Sequence, residues 1–405
     1  MRRRRGIMGL NGGAGIPVIT ATATGNPLTF ETDLARPLKS LEIPFTPIQS
    51  GSGDPSPTNV RPISGWNATT INHTGANLLN GTTAANILKT GKPSQVSLDE
   101  DTDGKYVRLM GMSGTDVNLT KTLKFKENTR YTIILTGKNE SSGVSSTHIR
   151  FVYSDGNSAE IDWSNPTEIK TIAVTSAANK TVKAITTLTR SYNTRIYYEK
   201  PFGIFEGVVP ASSFEEYQGQ SILVSFTDPS TGDPMTVYGG TLTLNEDRSA
   251  DLVADREYKR YTGENSERWT YSSWTHQNNA VFYSNVQVRG AKYTERNYNY
   301  IKNCNMLPII TYNELNNQDI AGITITGGTT GFPSIGIPKS VLSTVDVAGL
   351  TSYLSANPLD IIYELATPIT YHFDNVGQFT TFIGTNNIWT DTNGMNTATY
   401  LKHQS

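Results

Sequence analysis

Apolar and polar positions alternate with a period of two along most of this chain, and one stretch alone carries helical spacing. Between residues 96 and 210 the strand pattern recurs at 106–110, 122–126, 131–135, 149–153, 171–175, 182–186 and 195–199. Each segment carries β-branched or aromatic side chains and stops at a cluster of Gly, Asn, Asp or Ser. Short strands at this spacing predict a β-sandwich, with a jelly roll as its specific form. Further strands at 237–244, 268–271, 281–283, 322–326, 361–365 and 369–373 predict a second β-rich unit. The helical exception is 345–356, where Val347, Leu350 and Leu354 share a face. Ser343 or Thr344 is placed to cap it, and Asn357-Pro358 ends it.

The pattern therefore predicts a mostly β protein in three parts. Residues 1–40, rich in Gly and small residues, read as an extended basic arm with too little apolar surface to order alone. Residues 41–220 read as the jelly-roll-like sandwich, and 221–405 as a β-rich C-terminal domain holding the short helix near 345–356. Prolines confine the piece at 43–48 to a sheet edge, and Trp66 is placed to anchor the turn-rich loop before it onto a core.

Composition sharpens this. Charged residues make up 17% of the chain beside 35 Gly and 19 Pro, a balance that suits turns and strands better than a helical enzyme. A net charge of -2 supplies no field for nucleic acid. The local exception is the run Arg2, Arg3, Arg4 and Arg5, which reads as a docking arm for an acidic surface. The run is not followed by the apolar stretch of a signal peptide, and no window reaches the ~18 apolar residues of a membrane span. A soluble chain, assembled in a reducing cytoplasm, is expected. Cys304 is the sole cysteine, so a disulfide framework is ruled out and a structural thiol expected.

Candidate chemistry is sparse. Asp99, Asp101 and Asp103 fall at the alternate spacing of a calcium loop, but its twelfth position is Met110 in place of a bidentate Glu. A solvated acidic turn is the plainer reading. The five histidines never fall three or four apart, so no local zinc pair exists, and His148 and His372 sit in strand patterns. Neither a nucleophile elbow nor a phosphate loop is present. Carboxylate neighbours such as Glu215 with Glu216, or Asp251 with Asp255, lie in turn-like contexts and define no glycosidase pair. Aromatics are the stronger lead: Trp269, Tyr271, Trp274, Phe282 and Tyr283 crowd one region, and Tyr293, Tyr298 and Tyr300 follow. Aromatic faces stack on sugar rings while polar neighbours take the hydroxyls, and Trp163 beside Asp162 is a second candidate. Core or interface packing is the competing role for all of them.

Several motifs carry a resemblance. Val237-Tyr-Gly-Gly-Thr-Leu242, Tyr363-Glu-Leu-Ala-Thr-Pro368, Gly384-Thr-Asn-Asn-Ile-Trp389 and Thr397-Ala-Thr-Tyr400 resemble the C-terminal part of phage and prophage minor structural, tail or baseplate-associated proteins of gut Firmicutes. Gln49-Ser-Gly-Ser-Gly-Asp-Pro55 through Arg61-Pro-Ile-Ser-Gly-Trp66 resembles the N-terminal part of the same group, as does the basic start. The middle is similar to carbohydrate-binding jelly-roll modules, closing with Arg195-Ile-Tyr-Tyr-Glu199, Phe205-Glu-Gly207 and Phe214-Glu-Glu-Tyr217. The resemblance implies a non-enzymatic virion protein, assembled with other virion proteins as a symmetric oligomer, a trimer by analogy, that attaches to a bacterial surface glycan. It offers no catalytic residues. A head fibre or capsid decoration protein docked through the arm is the alternative, and a polysaccharide depolymerase a third.

Overall fold

Buried and exposed positions alternate along the strands as the period of two requires: Leu41, Ile43 and Phe45 point inward from Ser40–Phe45, while Ile222 and Val224 flank a solvent-facing Leu223. A computed structural model describes residues 28–390 and 400–401, leaving out 33–34, 36, 39, 92–93, 111–116, 121–122, 124, 141–145, 165–167, 190–193, 273–275, 293–299 and 327–330. The protein is mostly β, and its apolar side chains gather into three large cores and one small one.

The first core lies inside a two-sheet sandwich. One sheet runs Lys170–Thr175, Tyr131–Asn139, Thr194–Tyr197, Gly104–Leu109, Val96–Asp101, with Gly203–Glu206 also paired to Tyr131–Asn139. The other runs Ser158–Ser164, Ser146–Tyr153, Val182–Thr189, Val117–Asn118. Ile133, Leu135, Ile149, Phe151, Ile185 and Ile196 fill the space between them. Helix Gly81–Gly91 closes one end by adding Ala84, Ala85 and Leu88 to the same core.

The second core is a hub built from distant pieces. Its outer sheet runs Leu28–Thr32, Gly384–Thr390, Ala68–Thr74, Gly219–Ser225. It packs on one end of a six-stranded sheet ordered Ile301–Cys304, Leu359–Phe373, Ala250–Tyr261, Gly240–Asn245, Ser40–Phe45, Tyr400–Leu401. Phe226 sits at the centre, its ring centroid 5.4 Å from Phe45 and 6.1 Å from Phe373. The hub thus draws on both sides of the expected boundary near residue 220. Of the expected arm, Leu28–Thr32 forms an ordinary strand bonded to Gly384–Thr390, and Arg2 to Arg5 lie outside the described residues. Leu28 and Phe30 give this stretch the apolar anchors that the Gly-rich start lacks.

The third core forms where the other end of the six-stranded sheet meets Trp269–Tyr271, Asn279–Ser284, Phe332–Pro338 and Gly322–Thr326. Ala250–Tyr261 and Leu359–Phe373 run through both cores as one long ribbon, with a bulge between Ala254 and Arg256 where it passes from one to the other. A Cβ at Gly240 would meet the Val253 carbonyl oxygen at 2.1 Å, and its φ of +134° also demands glycine.

The expected helix spans Val347–Ala356, and its cap is Asp346, whose carboxylate accepts from the Gly349 amide at 2.8 Å, in place of Ser343 or Thr344. Two more helices, Gly81–Gly91 and Tyr312–Asn317, were not expected. The second had a signal in Thr311 and Glu314, which form a capping box. Asp251 and Asp255, read as turn residues, lie in the long Ala250–Tyr261 strand, and Asp251 Oδ1 meets His372 Nδ1 at 2.7 Å.

Candidate functional site

The acidic turn is a tight hairpin between Val96–Asp101 and Gly104–Leu109, and its carboxylates are already engaged. Asp101 Oδ2 accepts from Tyr197 at 2.8 Å and from Arg195 at 2.6 Å, while its Oδ1 accepts from the Asp103 amide. Lys138 meets Asp103 at 3.0 Å, and Arg108 lies 3.4 Å from Asp99. Arg195 and Arg108 are both held by Glu140 as well. Burial pushes the Asp101 carboxyl up, but the bonds from Tyr197, the Asp103 amide and Arg195 outweigh it and hold the group at about 2. Three cations crossing four acids leave no convergent set of free oxygens, and among the described residues no metal-ligating cluster forms. The calcium reading of Asp99, Asp101 and Asp103 therefore gives way to an ion-pair network that pins one face of the sandwich, with the Arg195 guanidinium 4.8 Å over the Tyr106 ring.

The expected aromatic platform separates into unlike parts. Trp269 is buried: its Nε1 donates to Glu267 at 2.7 Å and its ring edges onto Tyr261 at 5.4 Å. Glu267, itself buried, also accepts from the Thr262 and Gly263 amides, so Trp269 locks a turn in the third core. Tyr271 is 38% exposed and leans on Phe282, and Tyr283 faces solvent from the neighbouring strand. Trp274, Tyr293 and Tyr298 lie outside the described residues. Trp163 and Asp162 belong to Ser158–Ser164, in register with Thr147 and His148, and their side chains lie outside the described residues.

A different place brings polar and aromatic side chains together. The outward face of the hub's outer sheet meets the sandwich across a cleft of about 200 Å³. Its floor is Asn72 on Ala68–Thr74 and Trp389 on Gly384–Thr390, which the register sets opposite each other. Tyr217 forms one wall, its ring folded back over Gly219. The start of helix Gly81–Gly91 forms another, where Asn80 caps by accepting from the Thr83 amide at 3.1 Å. Leu123 closes the apolar side. Trp389 Nε1 and Asn72 Nδ2 are both buried and meet no acceptor among the described residues. The junction is held by buried Asn77, whose Oδ1 accepts from the Leu79 and Ile204 amides and whose Nδ2 donates to the Glu215 carbonyl.

Sequence reasoning missed this cleft because its floor pairs residues from opposite ends of the chain. Trp389 was visible only as part of a resembling motif, and nothing local marks Asn72.

No protein-family model matches the chain, and no curated protein matches it in sequence. No helix among the described residues is long and apolar enough to cross a membrane.

Proposed function

We propose that this protein is a bacteriophage virion component of the tail or baseplate, which works by assembly and by reversible attachment to a bacterial surface glycan and catalyses no reaction. The observation that carries the reading is where the family-like segments lie. Gln49 donates to the Cys304 carbonyl at 2.7 Å, the Arg61 amide to Asn305 at 2.6 Å, and Trp66 and Val237 exchange two backbone bonds of 2.8 Å. Val237-Tyr-Gly-Gly-Thr-Leu242, Tyr363-Glu-Leu-Ala-Thr-Pro368 and Gly384-Thr-Asn-Asn-Ile-Trp389 fall in the hub or in the ribbon that leaves it. The described segments that resemble one family thus form one body, Thr397 to Thr399 and the basic start lying outside the described residues, and the stretch similar to carbohydrate-binding modules projects from it as an insertion. That arrangement suits a particle-docking body carrying an adhesive module, with Arg2, Arg3, Arg4 and Arg5 as the docking arm. Several linked copies, a trimer by analogy, would turn weak single-site sugar affinity into firm attachment.

Antibody-gold labelling of intact particles tests the placement. Label at the tail tip is the expected result, and label over the head would overturn the tail assignment.

A further inference from the structure

We infer that His73 is an acid-sensitive latch: uptake of one proton at this ring loosens residues 379–390 from the hub's outer sheet. His73 is fully enclosed, on Ala68–Thr74 between Gln220 and Ile388 of the two flanking strands. Three groups against its ring come from one short stretch of chain. Phe382 stacks on it with centroids 4.6 Å apart, Phe379 meets it edge-on at 5.4 Å, and Asn386 Oδ1 lies 2.8 Å from its Nε2. Asn386 also assigns the ring hydrogen. Its Nδ2 donates to the Phe382 and Gly384 carbonyls at 2.8 and 2.9 Å, which turns Oδ1 toward the ring. An amide oxygen only accepts, so Nε2 carries the hydrogen and Nδ1 is the bare nitrogen. Nδ1 is buried and has no hydrogen-bond partner among the described residues. The Gln220 amide beside it is spent on Thr380, accepting from its N–H at 2.9 Å and donating to its carbonyl at 3.0 Å.

A proton at Nδ1 creates a second donor and a full charge in a place that meets neither. Strands Ala68–Thr74, Gly219–Ser225 and Gly384–Thr390, with residues 375–383, hold no Asp, Glu, Lys or Arg. Glu31 is exposed on the face of Leu28–Thr32 opposite Phe30. Glu42 and Asp251 alternate with core residues on their strands and so point away from the hub's interior, Asp251 toward His372. Asp33, Arg36 and Lys39 lie outside the described residues. Burial pulls the His73 imidazole below its usual value, and the Asn386 and Gln220 amides raise it by less. The folded value thus lies below the unfolded 6.5, so stability is intact above 6.5 and falls as pH drops from there toward the folded value. Gly384–Thr390 joins Leu28–Thr32 to Ala68–Thr74, and Leu28–Thr32 has no other partner strand among the described residues. Opening the seam at His73 therefore releases the first strand as well. The sandwich, whose strands pair among themselves, stays closed.

The test compares the full chain with His73→Gln, whose amide can still donate to Asn386 but takes up no proton. Urea unfolding is followed from about pH 8 to about pH 5. Below 6.5 the unfolding constant of wild type is expected to rise more steeply than that of the variant. The limit for one proton is about tenfold per pH unit, and carboxylates common to both proteins cancel in the comparison. Hydrogen exchange at about pH 5, set against the same proteins at about pH 8 and corrected for its intrinsic dependence on pH, locates the opening. Peptides spanning 28–32 and 379–390 are expected to exchange faster in wild type than in His73→Gln, while Tyr131–Asn139 of the sandwich exchanges equally in both. Should His73→Gln fail to fold, His73→Phe carries the test, because it keeps the stack on Phe382 and leaves Asn386 Oδ1 the Phe382 amide at 2.7 Å. A difference between the proteins that stays constant with pH would mean that the ring does not titrate, and would overturn the latch. A variant that loses more stability than wild type on acidification would reveal a counter-ion holding the proton in the fold, and would overturn it too. Faster exchange spread equally into the sandwich would overturn the local release.

Discussion

The sandwich and the hub are both two-layer β cores, yet the chain assembles them in opposite ways. Every strand of the sandwich comes from one continuous stretch, residues 96–206. The hub takes strands from the start, the middle and the end, so that Thr29 bonds to Asn387 across 358 positions. Ordering such contacts closes very long loops before any burial rewards them. The sandwich is thus a local solution, whereas the hub exists only when strands from both ends of the chain are in place.

Core truncation tests that contrast most strongly. Phe226→Ala in the hub and Phe151→Ala in the sandwich should each cost about 3–5 kcal/mol in chemical denaturation, since both side chains are fully enclosed. Their reach should differ. Cys304, the only cysteine, sits in the third core, where burial pushes its thiol up to about 12 and keeps it inert. The ribbon joins that core to the hub, so Phe226→Ala should accelerate Cys304 labelling by a thiol reagent, while Phe151→Ala should leave the rate unchanged. Equal acceleration by both would mean that the sandwich is not separable from the rest.

A smaller effect isolates the sandwich. Asp101→Asn should cost about 2 kcal/mol at neutral pH by weakening the bonds from Arg195 and Tyr197. The folded carboxyl is held at about 2, below its unfolded value of about 4, so its contribution is whole above the higher value and lost as pH falls through the lower. The gap between wild type and variant should therefore close between about pH 4 and pH 2. A gap constant with pH would place the role of Asp101 in packing instead of charge. Smaller still, Thr311→Ala should cost about 1 kcal/mol in thermal denaturation by removing the capping box, in a unit outside both cores being compared.

The same contrast explains what was legible in the sequence. Several strands of the sandwich were legible because alternation is a local property, and Tyr131–Asn139 and Val182–Thr189 each cover a segment expected from it. The segment expected at 122–126, by contrast, forms no strand at its described residues, and Val96–Asp101 was not expected. Helix Gly81–Gly91 was hidden by its Gly, Thr and Asn content, which disfavours helix. It forms because Asn80 caps it and Ala84, Ala85 and Leu88 bury one face. Trp269 looked like a ligand platform because sequence shows an aromatic but not Glu267 beneath its N–H. Asn72 and Trp389 could not be paired by any local rule, since only strand register sets them opposite each other.

Thr74 and Gly219 are cross-strand partners, so the points where the chain leaves the hub and returns to it stand side by side. To the hub's ladder, residues 75–218 amount to one very long hairpin loop. The entropy of closing such a loop grows only with the logarithm of its length, so an insert of another size would alter the hub's stability little. The insert is in this sense tied to the hub's ladder at a single doorway, and lengthening or shortening it should leave the pairing of Thr74 with Gly219 in place.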